Sequence, residues 1–181
     1  AKSWGAHVIN HTYGKGIAAA FRSGVRFSNG EIVMLCPADI RDFSFLSDAL
    51  RASQAFDVVS VSKRHAKSVV VGYSKWRWFL SNGYQKCVNL LFGPLGTCTD
   101  THYIKLYNRK RLRDIIDKCR LNGPVGETEI MLYARDVGCT FTEVPAKIIH
   151  NGDCSKTSFT LILHTMSELA HLYIQRKLNL C

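Results

Sequence analysis

The sequence has no C-x-x-C pair, no apolar run near the ~20 residues that a bilayer span needs, and no internal repeat. The first absence removes the commonest zinc-binding spacing. Seven cysteines, Cys36, Cys87, Cys98, Cys119, Cys139, Cys154 and Cys181, are odd in number and scattered, and they read as reduced thiols of an intracellular protein rather than a disulfide framework. The N-terminus lacks a basic-then-apolar signal layout, so the expected location is cytoplasmic, soluble or peripheral on the cytosolic face of a membrane. The segment "GKG" at Gly14 to Gly16 lacks the glycine spacing and the following Ser or Thr of a phosphate loop. Acids are scarce. Lys and Arg number 24 against 14 Asp and Glu, a formal charge of +10, which suits nucleic acid, an anionic membrane surface or a phosphorylated small molecule as partner.

What is present is a globular chain. Apolar residues make up 46% of 181, enough for the core of a single domain. His7 to Ile9 is short and β-branched and predicts an opening strand before a glycine turn. Ile17, Ala20, Phe21, Val25 and Phe27 fall near helical spacing, and "SNG" ends the pattern. Ile32 to Cys36 is a continuous apolar run of the kind buried on both faces of a sheet. A helix begun by Asp42 or Ser44 follows, then a strand over Phe56 to Val61. Strands separated by helical segments of about a dozen residues predict crossover units and a mostly parallel α/β sheet. Ser74 to Phe92 reads as a helix apolar over much of its girth, ended by "GPLG". A basic helix near Arg109 to Arg120, a helix over Glu127 to Val137, a strand over Phe141 to Val144 and an amphipathic helix over Phe159 to Leu178 complete the pass.

The stretch "NGEIVMLCPADIRDF" poses the functional question. In a parallel sheet the ligand crevice lies beyond the carboxyl ends of the strands. Asp39 stands just past such an end, where it faces a ligand or simply caps the following loop.

Six segments then matter for their order: "GKGIAAAFRSG", "GEIVMLCPADIRD", "DVVSVSKR", "DTHYIKLYNRKRL", "GETEIMLYARDVGCTFTEVP" and "GDCSK". From about Gly5 to Lys156 this order resembles the family 2 glycosyltransferases, especially the polyprenyl-phosphate (dolichol-phosphate) mannosyl and glucosyl transferases. The resemblance implies a GT-A-like, Rossmann-like fold and transfer of a sugar from a nucleoside-diphosphate sugar to an acceptor such as a polyprenyl phosphate. It implies Mg²⁺ or Mn²⁺ at an Asp-x-Asp motif, where the metal neutralises the departing diphosphate. Here that motif reads Pro37-Ala38-Asp39, so Asp39 alone matches a metal-binding acid, and Arg41 stands near it as a cation that takes over charge from the metal. Members of the family ordinarily carry a strand, a helix and another strand ahead of the glycine-rich segment, so the chain is expected to be part of a longer protein with its N-terminal strands missing here.

By the same resemblance, Arg64 and Lys63 of "SKR", Arg77, Lys105, Ser155 and Lys156 bind phosphates, with Lys15 beside the first glycines, while Tyr103 replaces a glycine of the family and His150 an arginine. A lipid-phosphate acceptor is already anionic and needs cations to position it more than it needs a base. Glu129 is the candidate base, or a helix-starting acid favoured by the dipole, and Asp100 a loop-holding acid. Two rival readings stand beside the transferase. Pro37 suggests a catalytically inactive relative, and Trp76-Arg77-Trp78 with the positive charge suggests a basic nucleic-acid-binding domain, although no nucleic-acid motif is present. The aromatic and basic residues of the Ser74 and Phe159 helices suit either core burial or peripheral contact with a membrane.

Overall fold

A computed structural model describes residues 3, 5–10, 15–37, 40, 42–149 and 158–178. Its elements run α1 (Ile17–Phe27), β1 (Ile32–Leu35), α2 (Leu46–Ala52), β2 (Val58–Ser62), β3 (Val69–Val71), α3 (Lys75–Phe92), β4 (Lys105–Asn108), α4 (Arg109–Ile116), α5 (Gly126–Asp136), β5 (Phe141–Pro145), β6 (Lys147–Ile149) and α6 (Phe159–Lys177). The fold is mixed α/β.

The main sheet has the order β1-β4-β2-β5, and β3 and β6 form a separate parallel pair. β1 and β2 point the same way, as the crossover through α2 predicts, but they are not neighbours. β4 lies between them, antiparallel to both, and only β2 and β5 pair in parallel. The expected mostly parallel sheet is therefore a mixed one, and β1, read as a strand buried on both faces, stands at the edge of this sheet with alternate residues only partly buried. The expected strand over His7 to Ile9 does not form; residues 6–10 carry no regular structure. Only Val8 and Ile9 of that segment are β-branched, too short a run to specify pairing by itself.

β2 is buried along its whole length. Val58 enters one apolar cluster with Val25, Leu112, Ile115 and Ile130, whereas Val59 and Val61 enter a second with Phe45, Ala49 and Leu106. Alternate side chains thus feed the two faces of the sheet. The buried hydroxyls are satisfied: Ser60 donates to the Asp100 carbonyl at 3.3 Å, and Ser62 accepts the Arg64 amide at 3.1 Å.

Helix boundaries follow local chemistry. Ser74 accepts the Arg77 amide and caps α3, which ends at Gly93 with φ 77°. Asn108 caps α4 in the same way. The apolar girth expected of α3 is only partly used. Gln85 and Val88 are its buried residues, and Trp76 and Phe79 stand 58% and 67% exposed. No described helix is long and apolar enough to cross a membrane.

Candidate functional site

The antiparallel course of β4 builds the site. Because β4 runs against β1 and β2, its first residue, Lys105, lies opposite Leu35, the last residue of β1, and Ser60, the middle residue of β2. Lys63 and Arg64 follow directly from the end of β2. Three cations therefore meet at one rim of the sheet, and residues after Leu35 leave the sheet there too.

Asp100 organises them. Its carboxylate lies 2.9 Å from Lys63 Nζ and 3.4 Å from Arg64 Nη1, and it accepts the His102 amide at 3.3 Å. Burial raises its pKa, but Lys63, Lys105 and Arg64 outweigh that and hold it below the usual value. Lys63 is lowered by burial despite Asp100. Lys105 Nζ, 1% exposed, lies 3.9 Å from Glu127 Oε2, and neither atom has a hydrogen-bond partner. Burial pushes Glu127 up to about 7, with Lys105 pulling the other way. His102 is held neutral. Burial and then the Lys105 charge bring its pKa down to about 4, and its ring contacts Thr101 Oγ1 and the Pro124 carbonyl, both at 3.3 Å. The rim thus holds Lys63, Arg64 and Lys105 against Asp100 and Glu127, and burial makes Glu127 the weaker acid of the two.

The rim opens on a cavity of about 410 Å³ between α3 and α6. Lys63 and His102 stand at its polar side, Leu80, Leu161 and Met166 line its apolar side, and Arg77 lies on its wall with its guanidinium 5.2 Å from the centre of the Tyr73 ring. Trp76 stacks on Phe79 at 5.5 Å, and Phe79 also borders the cavity.

Of the expected phosphate-binding residues, Lys63, Arg64, Arg77 and Lys105 come together around this rim and cavity. Lys15 is exposed ahead of α1, outside that group. Asp39, Arg41, Ser155 and Lys156, with His150, lie outside the described residues. The neighbouring Gly16 holds φ 136° with its Cα against the Asn122 carbonyl, so the "GKG" glycine serves close packing. Glu129 is tied up elsewhere: its carboxylate accepts the amides of Arg120 and Leu121 at 2.9 to 3.0 Å. The acid facing Lys105 is Glu127. Residues two apart on a helix point about 200° from one another, so "GETE" offered two acids of which only one reaches the rim. His102 was also missed, because a single histidine after a threonine carries no pattern.

No protein-family model matches the chain. Among the described residues no three His, Cys, Asp or Glu side chains converge to hold a metal.

Proposed function

We propose that the chain is a GT-A-like glycosyltransferase domain of the family 2 type, moving a sugar from a nucleoside-diphosphate sugar to a polyprenyl phosphate. The observation that carries this reading is the cluster of buried cations Lys63, Arg64 and Lys105 at one rim of the sheet, of which Lys63 reaches the wall of an apolar cavity. Buried charge of one sign is unfavourable until a counter-charge arrives. An anionic head attached to an apolar chain satisfies both halves of the site, and a free nucleotide satisfies only one. Tyr103 adds support. It holds φ 93°, a conformation that favours glycine, at the position where the resemblance expects glycine.

In this mechanism the acceptor phosphate sits against Arg64, Lys63 and Lys105, with Arg77 on the cavity wall and the isoprenoid chain between α3 and α6. A phosphate oxygen attacks the anomeric carbon of the donor, the bond from that carbon to the diphosphate breaks, and the nucleoside diphosphate departs with the electron pair. The acceptor is already ionised, so the rim orients it and removes water rather than taking a proton. Glu127, its pKa pushed up to about 7 by burial, faces Lys105 at 3.9 Å. By the resemblance, Asp39 would help hold Mg²⁺ or Mn²⁺, which would neutralise charge on the departing diphosphate. The exposed Trp76 and Phe79, with Lys75 beside them, suit contact of the cavity mouth with a membrane surface from which a lipid acceptor enters.

Pro37 favours a second reading, a relative that binds these ligands without turnover. Two measurements on the chain separate the readings: binding of farnesyl phosphate, and sugar transfer to it from a panel of nucleoside-diphosphate sugars with Mn²⁺. Binding with transfer is expected. Binding without transfer selects the inactive relative, and failure to bind farnesyl phosphate overturns both.

A further inference from the structure

A second cavity, about 390 Å³, lies along a different face of α3, against the turn at Pro94 to Thr99. Asn82, Lys86 and Asn89 recur there at helical spacing, with Gln85 beneath them and Arg64 at one end.

The hydrogen bonds fix what this face presents. The Thr101 backbone amide donates to Gln85 Oε1 at 3.2 Å, and a backbone N–H is a donor only, so Gln85 turns its amide nitrogen toward Asn89 and donates to Asn89 Oδ1 at 3.1 Å. Arg64 Nη2 donates to Asn82 Oδ1 at 3.0 Å. Each of the three carboxamide oxygens therefore already accepts a hydrogen bond from within the protein, which fixes the orientation of its amide. What remains toward the cavity is donors: the Nδ2 groups of Asn82 and Asn89 and the Lys86 ammonium. No carboxylate lines it. Of the acids nearby, Asp100 is paired with Lys63 and Arg64, and Glu143 accepts the amides of Thr99 and Asp100 and the Thr99 hydroxyl.

A cavity whose side chains include two cations, uncommitted amide donors and no carboxylate is complementary to a ligand rich in acceptors and negative charge. We propose that this cavity binds a small phosphate-class anion, as orthophosphate or as a phosphate monoester, at a site separate from the apolar cavity. Asn82, Lys86 and Asn89 line this cavity and not the apolar one; Arg64 alone is also used in the lipid-phosphate reading, so the test rests on the other three.

The test is a titration of the chain with inorganic phosphate, and in a second arm glucose 1-phosphate, at ionic strength matched with NaCl, following the side-chain amide signals of Asn82 and Asn89 by ¹H–¹⁵N NMR. Saturable movement of both pairs is expected, and the arm with the lower midpoint separates a free ion from an esterified one. Asn89→Asp keeps the oxygen that Gln85 uses but replaces the donor with a repelling carboxylate, and should raise the midpoint about tenfold. Lys86→Met should raise it about threefold. Lys105→Met should leave the movement intact while weakening farnesyl phosphate. Stationary amide signals in both arms, or a midpoint unchanged by Asn89→Asp, would overturn the site. So would phosphate shifts confined to residues around Lys63 and Lys105.

Discussion

Two groups of cations in this molecule carry the same charge and do opposite things with it. Lys63, Arg64 and Lys105 have side chains 8%, 14% and 1% exposed and share Asp100 and Glu127. Arg26 and Arg111, on α1 and α4, are 48% and 52% exposed, pair with Asp117 and Asp57, and have Arg109 and Arg113 beside them donating to the Ser28 carbonyl. The second group lies around α1 and the start of α4, at the end of the sheet where β1 and β2 begin, and water screens it. A net charge of +10 does not point to a site. Burial does, because only there does the charge demand a partner.

The largest effect should come from removing the organising acid. Asp100→Ala leaves Lys63 and Arg64 buried without a counter-charge and should cost about 3 to 5 kcal/mol in a urea melt. Asp117→Ala on the exposed pair should cost less than about 1 kcal/mol. Equal losses would erase the distinction between the two groups.

Acid sensitivity sharpens it. His102 has its pKa lowered to about 4 from 6.5, so its contribution to stability is present above pH 6.5 and lost as pH falls toward 4, on the order of 3 kcal/mol in full. Glu127 has its pKa raised to about 7 from 4.5, so its contribution is present below pH 4.5 and lost as pH rises through 7. Between pH 4.5 and 6.5 the two oppose each other. Denaturation across this range should show Glu127→Gln losing stability on acidification more steeply than the parent, and His102→Asn losing less or gaining. Matching slopes in all three proteins would remove the buried pair from the account.

Next in size is ligand binding. Lys105→Met should weaken farnesyl phosphate more than about tenfold by calorimetry, since one buried charge-assisted contact is worth roughly 1.5 to 3 kcal/mol. Lys110→Gln combined with Arg113→Gln should change that affinity less than about twofold. Comparable losses would mean that overall charge, not the rim, attracts the anion. The smallest expected effect is Ser74→Ala, about 1 kcal/mol from the lost α3 cap, with binding nearly unchanged.

Much of the scaffold was legible in the sequence. The Ile17 helix, the Ser74 start and the glycine stop of α3, and the amphipathic pattern from Phe159 all rest on 3.6-residue periodicity and caps, which are local. β4 was not legible as a strand. "KLYN" is four residues long, begins with a charge and ends in a helix cap, so it carries no alternation to read. Missing it hid the mixed order of the sheet and the reason Lys105 is buried. The choice between Glu127 and Glu129 was equally hidden, since it depends on how α5 is rotated against β4.

The order of residues along the chain determined the helices, the buried strand β2 and the stock of cations available for a site, because periodicity, capping and charge act over a few neighbouring residues. Tertiary structure decided which of those cations are dehydrated and which acid each one meets. That depends on a strand from the middle of the chain slotting, reversed, between two earlier neighbours, and pairing across such distances leaves no mark on the residues beside it.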